Sequence, residues 1–169
     1  MESRAKLFGH PIHQMLIVFP LGVLAMSLVF DLIARVAESP KLHEAAYFMI
    51  AAGVVSGLAA AVFGFVDFLA IPKGTRAKRI GGLHGFGNVV VVVLFALSWL
   101  LRRDNPAAPE IAAIILSAAA AALATVTGWL GGELVDRLGV GVDDGAHLDA
   151  PSSLRGPVTV SEATARTRA

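Results

Sequence analysis

Four long apolar runs separated by short polar breaks constrain this chain more than any other feature. They extend from Ile12 to Ala34, Ala45 to Ile71, Leu83 to Leu101, and Ile111 to Leu134. A helix needs about 20 mostly apolar residues to cross a hydrocarbon core of roughly 30 Å, and each run supplies them. The breaks are Glu38-Ser39-Pro40-Lys41, Pro72 to Arg79, and Arg102 to Pro109. Such short connections make successive helices antiparallel neighbours. The expected fold is all-α, an integral membrane four-helix bundle of two antiparallel hairpins over residues 1–138. Residues 139–169 turn polar, with Asp143, Asp144, Pro151, Ser152, Ser153, Gly156 and Pro157, and are expected to form a flexible, disordered tail.

Composition agrees. Of 169 residues, 56% are hydrophobic and 16% charged, against about 45–50% and about 25% in soluble domains. So apolar a chain cannot bury its surface in one water-soluble core of this size. With a net charge of +1, no nucleic-acid partner is expected. The absence of cysteine excludes disulfides, thiolate metal sites, Cys-ligated iron–sulfur clusters and a cysteine nucleophile. Arg4 and Lys6 precede the first run, but that run is too long for a signal-peptide core and opens on His10-Pro11-Ile12-His13-Gln14. It reads as a retained span.

Basic residues in short loops orient such a bundle. Arg4, Lys6, Lys73, Arg76, Lys78, Arg79 and Arg137 fall on one side; Arg35, Lys41, Arg102 and Arg103 fall on the other. Both termini are therefore expected in the cytoplasm. Small residues let membrane helices approach closely. Gly53, Gly57, Ala60 and Gly64 form one such stripe, and Ser117, Ala121, Thr125, Gly128 and Gly132 a second. These stripes suit internal seams, or a homodimer through the Gly53/Gly57 or Gly128/Gly132 faces. Pro20 is expected to bend the first span.

Ionisable groups inside spans are costly and mark functional candidates. His10 and His13 open the first span, Asp67 closes the second, His84 opens the third, and Glu133 with Asp136 closes the fourth. Antiparallel topology brings these ends to one membrane face. Asp67 continues the Gly53 stripe, and His84 shares a face with Asn88. His13 and Asp31 lie eighteen residues apart, five full helical turns and about 27 Å along the axis. Asp31 is expected to pair with His43 or Arg35. A faint internal repeat is visible too. Gly9-His10-Pro11-Ile12-His13 parallels Gly82-Leu83-His84-Gly85, and Gly64-Phe65-Val66-Asp67 parallels Gly128-Trp129 through Glu133.

The opening Gly9-His10-Pro11-Ile12-His13-Gln14-Met15-Leu16 with Phe19-Pro20-Leu21-Gly22 resembles a bacterial membrane family, domain of unknown function 2231. The closing Gly128-Trp129-Leu130-Gly131-Gly132-Glu133-Leu134-Val135 and Gly139-Val140-Gly141-Val142 are similar to that family's end. The likeness spans roughly residues 7 to 142. It implies a multi-pass protein of the bacterial inner membrane and points at His10, His13, Asp67, His84 and Glu133. Some relatives are joined to Rieske-type iron–sulfur domains, which implies electron transfer and a redox partner.

Three chemistries fit these residues. His13 and His84 can be the axial ligands of a haem b, with Phe8, Phe65 and Phe86 lining its slot. Alternatively His10, His13, Asp67, His84 and Glu133 hold a divalent transition metal through nitrogen and oxygen. In the third, the cluster is structural, its carboxylates pairing with Lys78, Arg79 or Arg137, and the protein is a non-catalytic scaffold or assembly partner. A proton or ion path has less support, because the mid-depth polar groups of the second and fourth spans reduce to Ser56, Thr125 and Thr127. No hydrolase or phosphate-binding motif appears.

Overall fold

The computed structural model describes residues 1–155. A two-stranded antiparallel hairpin, β1 (Lys6–Leu7) and β2 (His10–Pro11), leads into α1 (Ile12–Leu16) and α2 (Val18–Ala37). Then follow α3 (Pro40–Ala70), α4 (Arg76–Arg102), α5 (Ile111–Gly132) and a π-helical turn, Glu133–Arg137. Phe8 and Gly9 turn the hairpin with positive φ of 50° and 84°, the left-handed pair that a two-residue turn demands.

Four continuous helical stretches are long and apolar enough to span a membrane: Ile12–Ala37, Pro40–Ala70, Arg76–Arg102 and Ile111–Arg137. The second and third begin earlier than the apolar runs do. Pro40 occupies the first turn of α3, where its missing N–H costs nothing. Thr75 caps α4 by accepting the Lys78 N–H at 3.1 Å. A single turn residue, Ile17, separates α1 from α2 three residues before Pro20, with helical backbone angles and hydrogen bonds on both sides. Proline supplies no donor to the carbonyl four residues back and crowds it.

The α2–α3 and α4–α5 hairpins pack tightly, and α3 joins them along α4. Leu24, Ile50, Val91, Phe95 and Ala120 form the apolar centre. Most large apolar side chains instead point outward, among them Phe19, Phe48, Val62, Leu83 and Trp129, as a bilayer-facing surface requires. Gly53 is a true seam: a Cβ there would sit 2.4 Å from Leu24. Gly57 faces Val92 and Pro20 inside the same bundle. The fourth-span stripe lies elsewhere than expected. Gly128 and Gly132 meet nothing within 4 Å, whereas Ala113, Ser117, Ala120 and Thr127 are buried.

At the polar end the chain is tied together. The Met1 ammonium donates to the Gly139 carbonyl at 2.9 Å, and the Gly141 N–H donates to the Met1 carbonyl at 2.9 Å. Lys6 pairs with Glu2 and lies 3.7 Å from Asp143. The hydrogen bond that Lys6 donates to the Glu2 carboxylate raises the Lys6 pKa above the ordinary lysine value. The described part of the expected tail, 139–155, thus lies against the N-terminal segment. Residues 156–169 lie outside the described residues.

Candidate functional site

Two of the five expected ligands meet. The rings of His13, on α1, and His84, on α4, have centroids 6.4 Å apart and planes at 89°. Each is seated the same way on the other helix of its own hairpin. His13 Nδ1 lies 2.8 Å from the Ala60 carbonyl, and His84 Nδ1 lies 2.8 Å from the Thr127 carbonyl. A carbonyl can only accept, so both Nδ1 atoms carry the proton and donate. With one proton per ring, that leaves the lone pair on Nε2.

Glycine makes both seats. One turn beyond Ala60 stands Gly64, and one turn beyond Thr127 stands Gly131. A Cβ on Gly64 would lie 2.8 Å from His13 Nδ1 and Cε1; on Gly131 it would lie 3.0 Å from His84 Cε1. Only a bare backbone lets the imidazole reach a carbonyl already engaged in a helix. His84 has a further partner. The Thr127 hydroxyl donates to Asn88 Oδ1 at 3.0 Å, which turns the Asn88 amide nitrogen toward the His84 carbonyl at 2.9 Å and Nε2 at 3.3 Å.

The other three expected ligands lie in contacts of their own. Asp67 accepts from the Ser3 hydroxyl at 2.8 Å and from the Arg4 and Ala5 N–H groups at 2.7 and 3.3 Å. It anchors the N-terminal segment. Glu133 pairs with Arg76 at 2.6 Å, not with Lys78, Arg79 or Arg137. Lys78 instead donates to the Phe68 carbonyl at 2.6 Å. His10 is exposed, with Nε2 3.3 Å from the Ser153 hydroxyl. Among the described residues, no group of three or more His, Cys, Asp or Glu stands together as a metal would need. The expected aromatic slot is absent as well: Phe8, Phe65 and Phe86 are 72%, 60% and 72% exposed. Phe65 follows Gly64, and a step of 100° carries it off the inward face.

At the opposite end of the bundle lies a second polar group that the sequence revealed only in part. Asp31 accepts from His43 Nδ1 at 2.8 Å, one of its two expected pairings, and Arg35 takes no part. Its principal partner is Arg102, whose Nη1 reaches both carboxylate oxygens at 2.9 and 2.7 Å. Arg102 is therefore no loop charge. It is 0% exposed, as is Asp31. Arg102 Nε and Nη2 donate to Ser98 and Ser117, each at 3.2 Å, and the Ser98 hydroxyl donates to the Ala113 carbonyl at 2.6 Å. All four spans contribute.

These placements recast the internal repeat. His13, Leu24, Ser27 and Asp31 lie 71 residues before His84, Phe95, Ser98 and Arg102, and the last three of each set are buried in both halves. Ala46, Ala60 and Gly64 lie 67 residues before Ala113, Thr127 and Gly131. The counterpart of Gly64 is therefore Gly131 rather than Gly128, and Glu133 is not the counterpart of Asp67.

A family model described as "Predicted membrane protein (DUF2231)" matches residues 9–144. The chain belongs to the DUF2231 family. The matched region takes in both imidazole seats and the buried Asp31–Arg102 pair, so the DUF2231 region and the four-span bundle are one unit. Neither the curated proteins nor the solved structures contain a match.

Proposed function

We propose that this protein is a bacterial inner-membrane haem b carrier, in which His13 and His84 would hold the haem. One observation carries the reading: both imidazoles give Nδ1 to a backbone carbonyl and keep Nε2, with centroids 6.4 Å apart. Rings this close could hold one iron between them if both Nε2 atoms turned toward it, with the Asn88 amide, 3.3 Å from His84 Nε2, giving way. The donor count also selects. A metal held by protein alone wants a third and fourth ligand, and Asp67, Glu133 and His10 are engaged elsewhere. Haem iron brings four nitrogens of its own and asks the protein for two.

Bound there, haem would supply one-electron chemistry. The chain would fix the ring tautomers through Ala60 and Thr127 and exclude water with its apolar helices. Its partners would be the lipid bilayer and a separate redox protein. The excess of basic residues at the His13/His84 end supports a cytoplasmic location for both termini. With Arg102 removed from the loop tally, the imbalance deepens to seven against three.

The test is purification in detergent, haem b reconstitution and a visible spectrum. A Soret band at one haem per chain, lost in His13→Ala and in His84→Ala but kept in His10→Ala, is the expected result. A chain that stays colourless after reconstitution overturns it. A second reading has its own support, since each imidazole already ties two helices through a carbonyl. On that reading the protein is a scaffold, and the two variants lower its melting temperature without any pigment to lose.

A further inference from the structure

Among the described residues, the acceptors of the Asp31 network all have partners except one. Both Asp31 oxygens are filled by Arg102, and one also accepts from His43. Ser98 donates to the Ala113 carbonyl, and Ser117 is bonded to both Ser98 and Arg102. Since Asp31 can only accept, His43 Nδ1 carries the proton and Nε2 the lone pair. That Nε2 has no hydrogen-bond partner among the described residues, in a residue only 6% exposed. It is not sealed off either. Trp99 Nε1 is the sole fully enclosed side-chain nitrogen or oxygen without a partner there.

His43 forms part of the wall of a cavity of about 430 Å³ between the α2–α3 and α4–α5 loops. Pro40, Ala107, Ala108 and Pro109 shape it with small and rigid groups, and Arg35 and Glu38 also line it. Arg102 neutralises Asp31 directly, so the network bears no net charge while His43 is neutral. Its acceptor without a partner among the described residues is Nε2 of His43, a residue that lines the cavity.

We propose that this cavity is a proton port, through which the aqueous phase at the loop end reaches His43 Nε2 and reversibly protonates the network around Asp31. A proton leaving hydronium forms the Nε2–H bond, and water is the other product. The resulting imidazolium faces Asp31 as counter-ion, with Arg102 behind it and Arg35 and Glu38 along the cavity wall. Asp31 itself is a poor acceptor, because two guanidinium hydrogen bonds already hold its charge. The port lies at the far end from the His13/His84 pair and does not depend on haem being bound there.

The chain has no cysteine, so single cysteines report access without background. In reconstituted vesicles, His43→Cys should react with a membrane-impermeant methanethiosulfonate added from the loop side, at least tenfold faster than Ala46→Cys. Ala46 lies one turn deeper and is 0% exposed. Equal, negligible rates at both positions overturn the port. The unmutated protein gives a second reading that no folding defect can spoil. Diethyl pyrocarbonate attacks only the unprotonated imidazole, so its adduct at His43, found by mass spectrometry, should form at high pH and diminish as pH falls. No adduct at any pH, or a pH-independent yield, overturns protonation at this atom.

Discussion

Arg102 holds Asp31 with one nitrogen on both carboxylate oxygens, at 2.9 and 2.7 Å, where neither side chain touches solvent. In hydrocarbon neither charge is tolerable alone, and the pair fixes how the two hairpins meet at that end. Breaking a buried pair from one side costs about 3–5 kcal/mol, whereas replacing both partners by apolar groups is close to neutral. Asp31→Ala and Arg102→Met should each lower the melting temperature in detergent sharply. The double variant Asp31→Leu/Arg102→Met should recover most of the loss, and a double variant worse than either single one would contradict this account.

The imidazole seats need glycine. Gly64→Ala and Gly131→Ala should each cost about 1–3 kcal/mol, the usual penalty for forcing extra volume into a filled site. Each should also abolish any haem signal, because the displaced ring loses its carbonyl. Gly85→Ala and Gly128→Ala, where nothing lies within 4 Å, should leave stability unchanged or raised by roughly 0.5–1 kcal/mol. Thermal melts of the four variants decide it.

At the centre of the first hairpin, Gly53 and Leu24 are complementary. A Cβ at position 53 would fall 2.4 Å from the Leu24 side chain, so Gly53→Ala should destabilise by about 1–3 kcal/mol. Leu24→Ala opens the space the new methyl needs. The double variant should therefore be more stable than the sum of the two single changes predicts, a coupling measurable by a thermodynamic cycle.

Asp67 is the peg on which the N-terminal segment hangs. Hydrogen bonds to a charged acceptor contribute about 1.5–3 kcal/mol, so Asp67→Ala should free residues 1–7. Trypsin should then cut at Arg4 and Lys6 about tenfold faster or more, while the spans stay intact. Unchanged cleavage would mean that the contacts of Met1 with Gly139 and Gly141 hold the segment unaided.

The spans, their order and the meeting of His13 with His84 were legible in the sequence because hydropathy and antiparallel connection dictate them. So was the Asp31–His43 pair. Arg102 was not, because it ends an apolar run and looks like a loop charge. Its signal was the spacing of eighteen residues from His84, the same as from His13 to Asp31. The five-ligand metal group came from counting polar residues at one depth. Depth says nothing of direction, and Asp67 and Glu133 turn to backbone N–H groups and to Arg76 instead. The fourth-span stripe slipped for a related reason: the inward face runs through Thr127 and Gly131, and small residues abound on every side of that helix.

The 71-residue recurrence of the first helix of each hairpin places unlike charges at one equivalent position. Two copies of the first hairpin, packed as the two hairpins pack here, would confront carboxylate with carboxylate. Two copies of the second would confront guanidinium with guanidinium. Only the mixed pairing is neutral in lipid. Asp31 and Arg102 therefore distinguish the two halves of the bundle by the sign of one buried charge.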